Sequence, residues 1–310
     1  MNEPARIDQL AALRALRRVV ELGSFTAAAE ALDISHTAVS RQIKQLEAYL
    51  GAQLLNRTTR RFALTAAGKQ YYEASRHILD ALDDADRAVG QHQARPSGSL
   101  RINAPMAFGT LELAAWLPEF IAQYPDLSVD LVCNDRIVDL IEDGFDVALR
   151  LARDLPDSSL IARRLATSEL VLAASPDYLK RHGTPHSPDE LRQHNCLAYT
   201  QAPRPHDWTF TGADGVQHTV TIRGNLQSNT SVALRTAALG GLGIVNAAAF
   251  IVRGDIERGA LVPLLPGHTQ RPRELYALYP QSRHQSPKVR AFIDFASAWY
   301  LRQASAASAA

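Results

Sequence analysis

The sequence predicts an α/β protein of unequal parts: an all-helical front, one long helix, and a larger body in which strands and helices alternate. Three observations predict it. Apolar residues recur at helical spacing from Leu10 to Leu50. The run from Ala66 to about Gln93 contains no proline. After Arg95-Pro96-Ser97-Gly98, which reads as a hinge, short β-forming runs alternate with amphipathic ones.

In the front, Leu10, Leu13, Leu16, Val19 and Val20 place a helix over about Ile7–Glu21, stopped by Gly23. Ser24 caps a short second helix, Phe25–Leu32, whose Ala27, Ala28 and Ala31 permit close approach of a neighbour. Asp33-Ile34-Ser35 is a tight turn, and a third helix runs His36–Leu50 up to Gly51. Two helices joined by such a turn make a helix-turn-helix. At 100° per residue, Val39, Ile43, Leu46 and Leu50 share one side of the third helix. Thr37, Arg41 and Lys44 lie opposite, flanked by His36 and Ser40. If the oily stripe packs inward, the polar stripe faces outward, where a DNA major groove accepts a helix. Ser35, His36, Thr37, Ser40, Arg41 and Lys44 are therefore candidate DNA contacts, with Arg41 suited to bidentate pairing with guanine. Arg57, Arg60 and Arg61 alternate with β-formers up to Leu64, as a hairpin wing along a phosphate backbone requires. These features give a winged helix-turn-helix over residues 7–64.

Charge agrees with this division. The 310-residue chain has a net charge of only +1, yet residues 1–70 carry ten Lys+Arg against six Asp+Glu, and the remainder 23 against 26. A basic front on a slightly acidic body points to contact with a polyanion at the front alone.

The long helix is placed within a linker at 65–95. Tyr71, Ser75, Ile78, Leu82, Ala85 and Val89 are spaced four, three, four, three and four apart, a heptad seam about three repeats long. Such a seam fits a dimerisation stem, or a helix packed on its own domain.

The body, 96–303, reads as strand at Leu100–Asn103, helix at Gly109–Tyr124, strand at Val129–Cys133, helix at Ile137–Glu142, and strands at Val147–Leu151, Leu160–Leu165 and Leu170–Ala174. The alternation predicts a mostly parallel sheet. Ser175-Pro176, Ser187-Pro188 and Ser286-Pro287 are helix starts. Trp208–Phe210 and Val220–Ile222 flank Ala213-Asp214-Gly215 as a hairpin, Leu234 and Ala238 mark a helix, and Gly240-Gly241-Leu242-Gly243 caps it before a strand. A last helix carries Phe292, Phe295 and Trp299, and residues 304–310 read as a disordered Ala/Ser tail.

Gly23-Ser24-Phe25-Thr26-Ala27-Ala28-Ala29, Ile34 through Ile43, Leu46-Glu47, Leu50-Gly51, Leu54-Leu55-Asn56-Arg57 and Leu64-Thr65-Ala66-Ala67-Gly68 together resemble the N-terminal signature of LysR-type transcriptional regulators, without a gap over about Leu10–Gly68. The resemblance implies a homodimer through the linker helix, or a homotetramer, that binds double-stranded promoter DNA and answers to a small-molecule effector. It also implies a two-lobed, periplasmic-binding-protein-like effector domain, with lobe I at about 98–165 plus 268–303 and lobe II at about 166–267. The cleft between lobes is then the ligand site. Candidate effector residues are Pro105, Met106 and Ala107 after the first strand, Arg150 at a strand end, Tyr199 and Thr200, Asn229 and Thr230 opening a helix, and Asn246. Pro105 and Met106 stand where many members carry Ser or Thr, so this turn offers only the backbone N–H groups of Met106 and Ala107.

Other classes lack their motifs. No nucleophile elbow, phosphate loop or metal-ligand spacing appears, so no catalytic residue, metal or cofactor is expected and the chain is not read as an enzyme. Cys133 and Cys196 are far apart and read as buried, reduced thiols. With no apolar run near ~20 residues and no signal-like N-terminus, a cytoplasmic protein away from membranes is expected. A solute-binding module is the competing reading for the body.

Overall fold

In the computed structural model, which describes residues 7–57, 62–90, 95–136, 138–155, 159–212, 214–281 and 286–309, the chain divides between Ala94 and Arg95 into two units. In the first unit, α1 (Gln9–Leu22) is capped by Asp8, whose carboxylate accepts the Ala11 N–H at 3.0 Å. α2 (Phe25–Ala31) starts at Ser24, and α3 (His36–Leu50) at Ser35, whose hydroxyl accepts the Ala38 N–H at 3.1 Å. Gly23 and Gly51 end α1 and α3 in the left-handed region, each at φ 64°. Leu13, Leu16, Val19, Ala28, Val39, Ile43 and Leu46 form one buried cluster. Burying each of the larger aliphatic side chains contributes about 1.5–3 kcal/mol.

β1 (Leu55–Arg57) and β2 (Phe62–Leu64) pair antiparallel as the wing, with Leu55 opposite Leu64. α4 (Ala66–Gly90) follows directly. Thr65 begins it: its hydroxyl donates to the Gln53 carbonyl at 2.7 Å and accepts the Gly68 N–H at 2.9 Å. Gly68 is required here, because a β-carbon would stand 1.9 Å from the Leu54 carbonyl oxygen.

The heptad reading of α4 needs correction. Tyr72, Ser75 and Leu79 are buried, and Tyr72 and Leu79 belong to the cluster built by α1 and α3. Arg17 on α1 pairs with Asp80 at 2.9 Å, and Arg14 reaches Asp83 at 3.8 Å. Ser75 thus belongs to the face turned onto its own unit, whereas Ile78 is 59% exposed. A helix can present two apolar stripes, and spacing alone merged them.

The second unit carries two five-stranded sheets. Lobe I has the order β4-β3-β5-β14-β6, built from β3 (Gly98–Ala104), β4 (Leu127–Cys133), β5 (Val147–Ala152), β6 (Leu160–Ser168) and β14 (Arg273–Pro280). Lobe II has the order β11-β8-β12-β7-β13, from β7 (Leu170–Ala174), β8 (Cys196–Tyr199), β11 (Gln227–Ser228), β12 (Ile244–Ala248) and β13 (Val262–Pro263). β9 (Asp207–Thr211) and β10 (Gln217–Thr221) form the expected hairpin. Ala213 of its turn lies outside the described residues.

The sheets are mixed rather than mostly parallel. β3 runs parallel to β4 and β5, but β14 is antiparallel to β5 and β6. β6 leads out of lobe I and β14 returns to it, so the returning strand runs the opposite way. In lobe II, β12 is likewise antiparallel to β7 and parallel to β8.

The helix expected at Ile137–Glu142 is absent from its described part, 138–142, and Ile137 lies outside the described residues. There the Asp139 carboxylate accepts the N–H groups of Ile141 and Glu142, a side-chain turn that competes with helix. The first helix of lobe I starts earlier than Gly109, as α5 (Met106–Phe108), passes through a π-helical turn at Gly109–Leu113, and continues as α6 (Ala114–Gln123). α7 (Pro176–His182) is capped by the Ser175 hydroxyl, while Ser187 instead donates to Glu190 ahead of a 3₁₀ turn, Pro188–Gln193. α8 (Ser231–Leu239) and α9 (Ala249–Glu257) cover lobe II. α10 (Pro287–Ala309) packs Phe292 and Phe295 on Trp116, and it extends through most of the stretch read as a disordered tail. Alanine, the strongest helix former, carries it on.

Candidate nucleic-acid interface and interlobe cleft

The third helix sorts its side chains as its periodicity requires. Val39, Ile43 and Leu46 are each 0% exposed, while His36, Thr37, Arg41 and Lys44 are exposed and Ser40 is half-buried. Ser35 and Thr37 join hydroxyls at 2.9 Å, and the His36 ring lies 5.9 Å from that of Phe25. Among the described residues, Arg41 and Lys44 form no ion pair. Much of the front's remaining positive charge is neutralised internally: Arg17 and Arg18 pair with Glu21, and Arg14 and Arg17 reach α4 aspartates. Among the described residues, Arg41 and Lys44 thus put cations without an internal ion pair on the outward face of α3.

Glu47, on the inner side of that helix, accepts the N–H groups of Leu54 and of Leu55, the first residue of the wing, and so couples wing to helix. Periodicity gave no sign of this role. Of the wing arginines, Arg57 belongs by its backbone to β1, whereas Arg60 and Arg61 lie outside the described residues.

In the second unit, the strand ends fix a polar cluster. β3 and β4 are in parallel register with Ala104 opposite Cys133, so the chain leaves both strands in step. Asp135 thereby comes beside Met106, whose backbone N–H donates to its Oδ1 at 3.0 Å. β5 flanks β3 on the other side and brings up Arg150. From lobe II, Tyr199 ends β8 with its hydroxyl on the side of the Asp135 carboxylate, and the two groups shift each other's titration. Arg273, which opens β14, faces Tyr199.

Burial dominates the electrostatics. It raises the Asp135 carboxyl above its ordinary range, and the Met106 N–H, Arg150 and Tyr199 only partly offset it. Burial, and then Asp135, push the Tyr199 phenol up to about 12. Arg150 and Arg273 are both lowered by desolvation. Arg150 donates Nη1 to the Leu149 carbonyl at 2.8 Å, and its buried Nη2 has no partner. Asn134 Oδ1 and Thr230 Oγ1 are likewise buried without partners.

The other residues singled out from sequence divide. Thr200 and Asn229 are exposed, and the Thr200 N–H donates to the Ser228 carbonyl at 2.9 Å. Pro105 is half-buried at the start of the Met106 turn. Ala107 is buried in the same apolar cluster as Leu234 and Ala238 of lobe II, so it is an interlobe packing residue. Beside it, the Phe108 and Phe250 rings meet edge-on at 5.7 Å. The Asn246 side chain is taken up by Gln270, through amide hydrogen bonds of 3.1 and 3.2 Å. The Met106 N–H, expected to be available, is already occupied by Asp135.

Asp135 and Arg273 were not singled out from sequence. The signal for Asp135 was its place two residues past a strand whose parallel neighbour ends at Ala104. Arg273 had none, because β14 was not recognised as a strand. Cys196 is buried, with its thiol pushed up to about 12 by burial, but Cys133 is only half-buried. Its sulfur explains Gly109, where a β-carbon would stand 2.3 Å from Sγ. Among the described residues, no group of three or more His, Cys, Asp or Glu could hold a metal ion, and no helix is long and apolar enough to cross a membrane.

Two family models match the chain: a bacterial regulatory helix-turn-helix of the lysR family over residues 10–69, and a LysR substrate binding domain over residues 93–300. The transcriptional regulator PtxR of Pseudomonas aeruginosa is 38% identical over 282 residues, 91% of this chain and 90% of that protein. Among solved structures, CrgA, a LysR-type transcriptional regulator from Neisseria meningitidis, is 35% identical with a TM-score of 0.61, covering 94% of this chain and 98% of that one. Full-length AphB, a virulence activator of Vibrio cholerae, is 33% identical with a TM-score of 0.59, covering 93% and 98%.

Proposed function

The chain belongs to the LysR family of DNA-binding transcription regulators with an effector-binding domain, and on that premise we propose which of its residues read DNA and which sense the effector. The outward face of α3 enters a major groove. Arg41 pairs with guanine, His36 and Thr37 meet base edges, and Ser35, Ser40 and Lys44 hold phosphates. Arg57, Arg60 and Arg61 lay the wing along the backbone. The observation that carries this reading is the combination of a fully buried Val39–Ile43–Leu46 stripe with exposed Arg41 and Lys44 that form no ion pair among the described residues.

Two chains associate through the exposed Ile78 side of α4, which suits a near-palindromic site. Pairs of such dimers form the tetramer. A small-molecule effector enters between the lobes, beside Arg150, Tyr199 and Thr230, changes their closure, and so shifts DNA binding from within the cytoplasm. The unpartnered Arg150 Nη2 and Thr230 Oγ1 support this placement.

The test is binding to DNA flanking the protein's own gene, in excess unrelated DNA and at several salt concentrations. The expected result is a protected near-palindrome whose occupancy falls with Arg41→Ala. Equal affinity for all duplexes would remove the specific-regulator reading.

A further inference from the structure

We propose that Asp135 is the specificity-determining residue of the interlobe cleft: it places the chain's own carboxylate in the seat framed by Met106, Arg150 and Tyr199. The effector class is then one that meets Asp135 with a hydrogen-bond donor, a hydroxyl or an amine or amide N–H, in place of a carboxylate. This rests on the cleft being the effector site, as argued above.

Three observations carry it. The Met106 turn has neither a Ser nor a Thr hydroxyl, and its backbone N–H is committed to Asp135 Oδ1 at 3.0 Å. The same carboxylate is flanked by the Arg150 cation and, across the cleft, by the Tyr199 hydroxyl, so its surroundings are those of a bound acid. Among the described residues, buried polar atoms without partners also occur on the segments that carry this cluster: Arg150 Nη2, Asn134 Oδ1 next to Asp135 in the chain and, from lobe II, Thr230 Oγ1. Buried donors and acceptors of this kind are normally satisfied by a ligand or water. Together with the Asp135 carboxylate they offer both donors and acceptors, which suits a polar molecule more than a second simple acid. An incoming carboxylate at the Met106 turn would meet Asp135 as a like charge in a partly desolvated site.

The prediction is an internal ligand that deletion turns into a vacancy for an external one. Full-length wild type and Asp135→Ala are melted in sodium acetate and in sodium chloride of equal ionic strength. Acetate is expected to raise the melting temperature of Asp135→Ala by about 2–4 °C over chloride and to leave the wild type unmoved, since only a ligand bound to the folded state stabilises it. Equal responses of the two proteins to acetate overturn the proposal. Asp135→Ser removes the same carboxylate but keeps a hydroxyl that can accept the Met106 N–H, and it carries the comparison if the Ala variant does not fold. DNA binding by the same variants reads the regulatory role separately. Acetate dependence seen in melting but absent on DNA keeps the seat and removes its coupling to DNA.

Discussion

Glu47 accepts the backbone N–H of Leu54 at 2.9 Å, and the same oxygen accepts that of Leu55 at 3.1 Å. One carboxylate of α3 thus holds the chain where it turns into the wing. Glu47→Ala leaves two partly buried donors without an acceptor, a loss of about 1–3 kcal/mol for each. Urea denaturation is expected to show a lower midpoint at unchanged slope. Glu47→Gln keeps an acceptor oxygen and is expected to lose less.

Arg41 and Lys44 share the exposed face of α3 but are assigned different work. On the proposed assignment Lys44→Ala removes a phosphate contact, so affinity is expected to fall uniformly across sequences and the log–log salt slope to drop by about 0.9. On the same proposal Arg41→Ala removes a bidentate base contact and is expected to cost about 1–3 kcal/mol on the cognate site while relaxing preference at one base pair. Fluorescence anisotropy on cognate and mutated duplexes over a salt series separates the two. Equal salt slopes for both variants and the wild type would refute the division.

Ile78 and Leu79 are neighbours in sequence with opposite fates, 59% and 1% exposed. Leu79→Ala is expected to destabilise the first unit by about 2–5 kcal/mol and to leave association unchanged. Ile78→Asp is expected to leave the protomer folded and to weaken the proposed dimer. Sedimentation velocity together with thermal unfolding reads both, and a dimer that withstands Ile78→Asp places the subunit contact elsewhere.

What the sequence made legible follows from how each feature is encoded. α3 was readable end to end, because Ser35 caps it, Gly51 stops it, and one apolar stripe faces one core. α4 was readable as a helix but not as a surface, since Tyr72 and Leu79 serve its own unit while Ile78 does not. In the cleft, Arg150 and Tyr199 were legible as polar residues of strands; Tyr199 does end β8, but Arg150, expected at a strand end, lies inside β5, because that strand pairs with β14 as far as Ala152. Asp135 was not legible, because its partners Met106 and Tyr199 are set by parallel register and by lobe closure, which are relations between distant segments. The mixed sheets were missed for the same reason, as strand direction depends on where the chain crosses between lobes.

Asp255 supplies the prediction with a pH sign. It is fully buried between α8 and α9, held by Arg235, whose Nη2 donates to Oδ1 at 2.9 Å, and by Arg258. The hydrogen bond from Arg235, opposed by burial and aided by the charges of both arginines, holds its carboxyl below the ordinary value of 3.8. A group depressed in the folded state stabilises the fold above its unfolded pKa, and that contribution is lost as pH falls through the folded value. The contribution is therefore full at neutral pH and begins to fade only near pH ~4. Asp255→Asn, which leaves Arg235 and Arg258 facing a neutral amide, is expected to be clearly less stable than wild type at pH 7, by an amount in the range of about 3–5 kcal/mol for breaking a buried pair. The gap is expected to narrow as the wild type is acidified below pH ~4. Urea denaturation of both proteins from pH 7 to pH ~3 measures it, and a gap that stays constant across that range would show that Asp255 acts through its shape and not through its charge.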